Sequence, residues 1–104
     1  MESIYTFTNT PILVTDLDGT ILTNGKVSRE ISNIFNKIHK LGIPITFATG
    51  RSKIPASKFS KLLKLKLPYI CSGGSIISDP ETGIDLYQEE IDMVTFIDIL
   101  NDVN

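Results

Sequence analysis

Asp16-Leu17-Asp18-Gly19-Thr20 sets two carboxylates one residue apart, followed by a glycine and a hydroxyl, directly after the apolar run Pro11-Ile12-Leu13-Val14-Thr15. Strand side chains alternate, so a strand here projects Asp16 and Asp18 to one side and Leu17 to the other. Two carboxylates that close raise each other's proton affinity unless a cation or a hydrogen-bond donor intervenes. A buried apolar strand ending in such a pair is costly to build, and acids of this kind hold a metal or do chemistry. Mg²⁺ is the natural guest, because it takes oxygen ligands and uses one or two carboxylates together with phosphate and water. Gly19 permits a tight turn and close approach of the backbone to a ligand, and Thr20 can bond back to that turn. The competing reading is an acidic turn in which Asp and Gly serve turn propensity alone.

A second group sits at the end of another apolar run. Gly42-Ile43-Pro44-Ile45-Thr46-Phe47-Ala48 reads as a strand, and Thr49-Gly50-Arg51 closes it. A hydroxyl, a flexible glycine and a guanidinium at a strand's carboxyl end make an anion site, since ligands of open α/β sheets bind there. The bland alternative is a strand-to-helix turn with Thr49 or Ser52 as N-cap and Arg51 solvated. A third stretch, Leu67 to Ser78, places two hydrophobic runs around Gly73-Gly74, with Ser72 and Ser75 beside the pair. Asp79-Pro80-Glu81-Thr82-Gly83 is then a strong turn signal before the strand-like Ile84-Asp85-Leu86-Tyr87.

The string from Pro11 to Leu22 resembles the first motif of the haloacid dehalogenase-like (HAD) phosphohydrolases. Strand-then-Thr49-Gly50-Arg51 resembles the second motif as it stands in the Cof-like sugar phosphatases. The resemblance implies that Asp16 attacks phosphorus, that Asp18 is the general acid and base, and that both acids serve a Mg²⁺ ion. It further implies that the amides of Leu17 and Asp18, with Thr49, Gly50 and Arg51, hold the phosphoryl group. The chemistry agrees: a carboxylate can attack a phosphoryl group to give an aspartyl-phosphate, while a second acid protonates the leaving oxygen and then activates water. Ser72, Gly73 and Gly74 fall where this group delivers an Asn-Gly-Ala segment beside the substrate. Here Gly73 replaces the Asn and Ser75 the Ala, so that contact is lost or moved to Ser72 or Ser75.

The implied function is a Mg²⁺-dependent phosphatase acting on a sugar phosphate or similar small phosphometabolite. The alternative is a non-catalytic module that keeps the metal and phosphate cradle. A response-regulator receiver would need a phospho-accepting Asp after the third strand, where Cys71, Ser72 and Gly73 stand. The resemblance runs from about Ile12 to Leu100. The family's later Lys motif, its acidic motif and its cap have no place in these 104 residues, so residues 1–104 are expected to be the N-terminal portion of one core domain. Weak activity of the chain by itself is the corresponding expectation, because the charge built up in phosphoryl transfer lacks its Lys and part of its metal shell.

Composition bounds these readings. A chain of 104 residues makes one domain with a modest core, and a formal net charge of −2 argues against nucleic-acid or anionic-membrane partners. One cysteine, Cys71, cannot form an internal disulfide; it reads as a small core residue in a reducing compartment. Met1-Glu2-Ser3 lacks the basic start of a secretory leader, and no apolar run approaches the roughly 20 residues of a membrane span, so a cytoplasmic location is expected.

The elements that must position these groups alternate. Met1 to about Thr10 is a polar and aromatic lead-in, ordered in part. A strand over about Ile12–Thr15 leads through the motif to a turn at Thr23-Asn24-Gly25-Lys26, Asn-Gly being the strongest short turn signal, where the family places a mobile flap. Ser28 caps a helix carrying Ile31, Ile34, Phe35 and Ile38 at helical spacing and ending before Gly42, with His39 as a surface group in its last turn. A second helix follows Arg51, with Phe59, Leu62 and Leu63 on its apolar face. Lys53, Lys58, Lys61, Lys64 and Lys66 form a basic face, solvated or, at Lys53 or Lys58, steering an anion toward Arg51. Glu89 to Leu100 closes the chain as an amphipathic helix. This order implies an α/β, Rossmann-like parallel sheet with right-handed crossovers: a partial core whose hairpin leads toward an absent cap. Self-association through an incomplete sheet edge is a further expectation.

Overall fold

A computed structural model describes residues 11–103; the lead-in expected before Thr10 lies outside the described residues. The element order is β1 (Leu13–Thr15), β2 (Leu22–Thr23), β3 (Lys26–Val27), α1 (Arg29–Lys40), β4 (Ile45–Phe47), α2 (Lys53–Leu62), β5 (Tyr69–Cys71), β6 (Ile76–Ser78), β7 (Asp85–Gln88) and α3 (Met93–Val103). β1 and β4 pair in parallel, with Leu13 opposite Ile45 and Thr15 opposite Phe47. A parallel bridge between Ala48 and Ile70 joins β4 to β5, and the Thr49 N–H donates to the Ile70 carbonyl at 2.9 Å. β6 then pairs antiparallel with β5 on one edge and with β7 on the other. The result is the expected α/β arrangement: three parallel strands linked by helices, and a hairpin on one side.

β4 is the axis of the core. All three of its residues are buried, as befits a parallel strand with neighbours on both edges. The Phe47 ring lies 5.1 Å from that of Tyr69, tilted by 40°, and Thr46 Oγ1 donates to the Pro68 carbonyl at 2.7 Å. Leu17, Leu22, Phe35, Ala56, Leu63, Leu65 and Cys71 complete the buried cluster, with Ile31, Ile38 and Phe59 packed against it. Burial pushes the Cys71 thiol pKa up, which fits the expected core role.

β1 departs from expectation. It was read as buried, yet Ile12, Leu13 and Val14 are 49%, 49% and 57% exposed. A parallel strand is buried when both edges are paired and both faces covered. Among the described residues, β1 is paired with β4 alone.

The hairpin of β2 and β3 forms around Asn24 and Gly25, whose φ angles of 53° and 73° are those of a two-residue turn requiring left-handed backbone at both positions. α1 starts where its cap predicts, with Ser28 Oγ accepting from the Ile31 N–H at 3.2 Å. Ser28→Ala is expected to lower stability by about 1 kcal/mol, read as a fall in urea midpoint with unchanged slope. An unchanged midpoint would show that the cap contributes nothing.

Three helical details correct the sequence reading. His39 is not a surface cap: Nε2 makes a 2.9 Å hydrogen bond with the Leu63 carbonyl, and its ring meets Phe35 edge-on. The buried side of α2 runs through Ala56 and Ser60 to Leu63, while Leu62 is 61% exposed, because the helix is rotated to fit small residues against the sheet. α3 begins at Met93 rather than Glu89. Asp92 caps it, its carboxylate accepting from the Thr95 amide at 2.8 Å and from the Thr95 hydroxyl at 3.0 Å, contacts that hold the Asp92 pKa below the usual carboxylate range. None of its residues is buried. No helix of the described residues is long and apolar enough to cross a membrane.

Candidate active site

The carboxyl ends of β1, β4 and β5 converge, and each delivers one of the loops that the sequence singled out. After β1 the chain turns around Leu17. Its side chain is fully buried, and its carbonyl accepts from the amides of Thr20, Ile21 and Leu22 at 3.2, 2.9 and 2.8 Å. This anchor throws Asp16 and Asp18 outward, the alternation expected of the motif, and both acids are solvent-exposed. Gly19 has φ 75°, a conformation that the turn requires and that other residues adopt at a cost.

Asp16 Oδ1 accepts from the Leu17 amide at 2.7 Å. That bond orients the carboxylate and leaves its other oxygen available. It also occupies the Leu17 N–H, one of the groups expected to hold phosphoryl oxygens. Asp18 is engaged differently. Both of its oxygens accept from Arg51, at 2.9 Å from Nε and 2.7 Å from Nη2. The guanidinium holds the Asp18 carboxyl below the usual carboxylate range, and the Arg51 pKa is raised in turn.

The loop after β4 presents Thr49, Gly50 and Arg51 together. Thr49 is buried; its Oγ1 accepts from the Arg51 amide at 3.1 Å, which leaves the hydroxyl proton to be donated. The Phe59 ring of α2 lies 5.2 Å from Arg51 Cζ, a cation–π support that orients the guanidinium. The loop after β5 is a single 3₁₀ turn, Ser72–Gly74, with Ser72, Gly73 and Gly74 at φ 52°, 66° and 97°. It is tied to its neighbour: the Ser72 amide donates to the Arg51 carbonyl at 2.7 Å and the Gly73 amide to the Thr49 carbonyl at 3.2 Å. Ser72, Gly73 and Gly74 therefore flank the Thr49–Arg51 loop. Ser75 is turned to its own loop, its Oγ donating to the Ser72 carbonyl at 2.8 Å.

Lys53 is not free to steer an anion. Its ammonium sits 2.7 Å from Asp85 Oδ1 and 2.7 Å from the Gly83 carbonyl, so it clamps the β6–β7 turn onto α2. Pairing with Asp85 raises its pKa. Sequence reasoning missed this role, and no local signal for it exists, because the partners lie 32 and 30 residues away along the chain.

A hard divalent cation suits the Asp16 carboxylate, whose Oδ1 keeps a lone pair beside its bond to the Leu17 amide while the other oxygen stays free. The Asp18 side chain does not offer a second ligand in this arrangement, since Arg51 takes both its oxygens. Among the described residues no group of three or more His, Cys, Asp or Glu could hold a metal.

A family profile described as haloacid dehalogenase-like hydrolase matches residues 13–104, a span that contains all three loops. The chain belongs to that family. A solved haloacid dehalogenase-like hydrolase of B. subtilis superposes on it with a TM-score of 0.73 at 32% identity, over 88% of this chain and 32% of that one. A phosphatase of the haloalkanoate (HAD) superfamily from Bacteroides thetaiotaomicron shares the HAD fold, with a TM-score of 0.74 at 23% identity over 97% of this chain and 39% of that one. The chain is also 38% identical over 68 residues to the Mycoplasma genitalium protein named "Putative phosphatase MG265", covering 64% of this chain and 24% of the relative. A "Phosphoglycolate phosphatase" of Methanopyrus kandleri is 29% identical over 82% of this chain and 38% of its own length. This HAD chain therefore spans about a quarter to two fifths of the relatives it matches.

Proposed function

We propose that this HAD chain carries the nucleophile and acid–base part of a phosphomonoesterase site acting through an aspartyl-phosphate on a sugar phosphate or similar small phosphometabolite. The observation that supports this most is the loop anchored by Leu17, which aims Asp16 and Asp18 outward beside the Thr49–Arg51 anion loop. The free oxygen of Asp16 attacks phosphorus in line with the ester oxygen. The P–O bond to the alcohol breaks, and Asp18 gives the leaving oxygen its proton. Asp18 then takes a proton from the water that attacks the phosphoaspartate, so that inorganic phosphate leaves and Asp16 is restored. The Thr49 hydroxyl donates to a phosphoryl oxygen. Mg²⁺, held by Asp16 and by substrate and water oxygens, would neutralise charge on the transferring group when bound.

The test is chemical trapping of the intermediate. Incubation with p-nitrophenyl phosphate and Mg²⁺ is expected to yield a hydroxylamine-sensitive phosphoryl group that peptide mass spectrometry places on Asp16. Phosphate binding to the Thr49–Arg51 loop without such an adduct would support the binding-module reading instead.

A further inference from the structure

Asp18 of the first loop and Arg51 of the second are already paired with each other, and the pairing is prepared on several sides. Arg51 presents its Nε–Nη2 edge to the two oxygens of Asp18 at 2.9 and 2.7 Å, the bidentate geometry that makes such pairs strong. Its backbone amide is held by Thr49 Oγ1, its carbonyl accepts from the Ser72 amide, and the Phe59 ring backs the guanidinium. The β2–β3 turn closes from another direction, where a Cβ on Gly25 would come 4.0 Å from Arg51 Nη2. Arg51 therefore touches the acid that must move a proton and the hydroxyl suited to a phosphoryl oxygen. A guanidinium edge that grips a carboxylate by two N–H groups cannot give the same two to a phosphoryl group.

We propose that Arg51 is a positioning residue with two exclusive partners, the Asp18 carboxylate as in this structure and the phosphoryl dianion of a bound substrate, so that substrate entry itself releases Asp18. The inference rests on the phosphoryl-transfer reading above and gives that site a gate. A dianion beside Thr49 draws the Nε–Nη2 edge away, and Asp18 is freed to face the leaving group. A neutral molecule or bulk water leaves Asp18 tied. Substrate charge, rather than substrate shape, then decides when the acid is available. Lys53 cannot substitute in either role, being held by Asp85 and Gly83.

A double-mutant cycle with inorganic phosphate as the probe tests the competition, in metal-free buffer at fixed pH, with binding followed through the amide resonances of Thr49 and Gly50. Asp18→Asn is expected to tighten phosphate binding about tenfold, because the competitor for the guanidinium edge is removed. On an Arg51→Ala background the same change is expected to alter binding by about twofold or less, since no edge remains to be freed. Asp16→Asn removes the same charge without touching Arg51, and should act equally on both backgrounds. An equal gain from Asp18→Asn on both backgrounds would mean simple charge repulsion, with phosphate using the other guanidinium edge; the exclusive pairing would then be wrong and the phosphatase reading intact. No response of Thr49 or Gly50 to phosphate in any variant would overturn the phosphatase reading and this inference with it. The wild-type chain supplies a check that needs no variant: the Arg51 Nε–Hε resonance must shift in step with the Thr49 and Gly50 amides. A resonance that stays in place while those amides move would overturn the proposal.

Discussion

Replacing Asp16 with Asn is expected to lower the release of p-nitrophenol from p-nitrophenyl phosphate by about 10³-fold or more, because the amide cannot attack phosphorus. The change is small in every other respect. The side-chain oxygen that accepts from the Leu17 amide is still present in Asn, so the loop keeps its shape. Asp16 is exposed, so stability should change by no more than about 0.5 kcal/mol, and the melting temperature of the variant serves as the control. The loss is therefore specific to chemistry. A variant that folds normally and keeps a rate within about tenfold of the parent would remove Asp16 from the nucleophile's role. The comparison holds even if the parent turns over slowly, since it is a ratio.

Phe47→Ala carries the largest expected cost in stability, about 3–5 kcal/mol. Phe47 is fully buried in the central parallel strand and meets Tyr69 from β5, so truncation leaves a cavity against that ring. A domain of this size has only about 5–15 kcal/mol to lose. The variant should unfold at markedly lower urea concentration. It should also weaken phosphate binding at the Thr49 loop, because β4 is what carries that loop to the site. A loss below about 1 kcal/mol would mean that the core is centred elsewhere.

Much of this architecture is legible in the chain because it is local. The Asn24-Gly25 turn, the Ser28 cap and the apolar run of β4 each depend on neighbours within a few residues, and each appears where the sequence places it. The outward throw of Asp16 and Asp18 around Leu17 is likewise a matter of alternation. The exposure of β1 was not legible, since apolar composition states what a strand can bury and not whether anything covers it. The rotation of α2 away from Leu62 was hidden for a related reason. Ala56 and Ser60 are small, and their fit against the sheet outweighs the hydropathy of a longer side chain on the far face.

The sequence alone thus determined the family, the α/β order and the identity of the groups that could do chemistry, all of which are written in short motifs at strand ends. Partnership was decided by tertiary structure. Arg51 was read beside Thr49 as an anion ligand, and the 33 residues separating it from Asp18 conceal that it grips that acid by both oxygens. Lys53 was read as a solvated or steering charge, and the fold instead assigns it to Asp85. His39 was read as a helix-end charge, and packing turns it inward to the Leu63 carbonyl. In each case residue type sets what a side chain can bond, while the chain's path through space decides which of several suitable partners it meets.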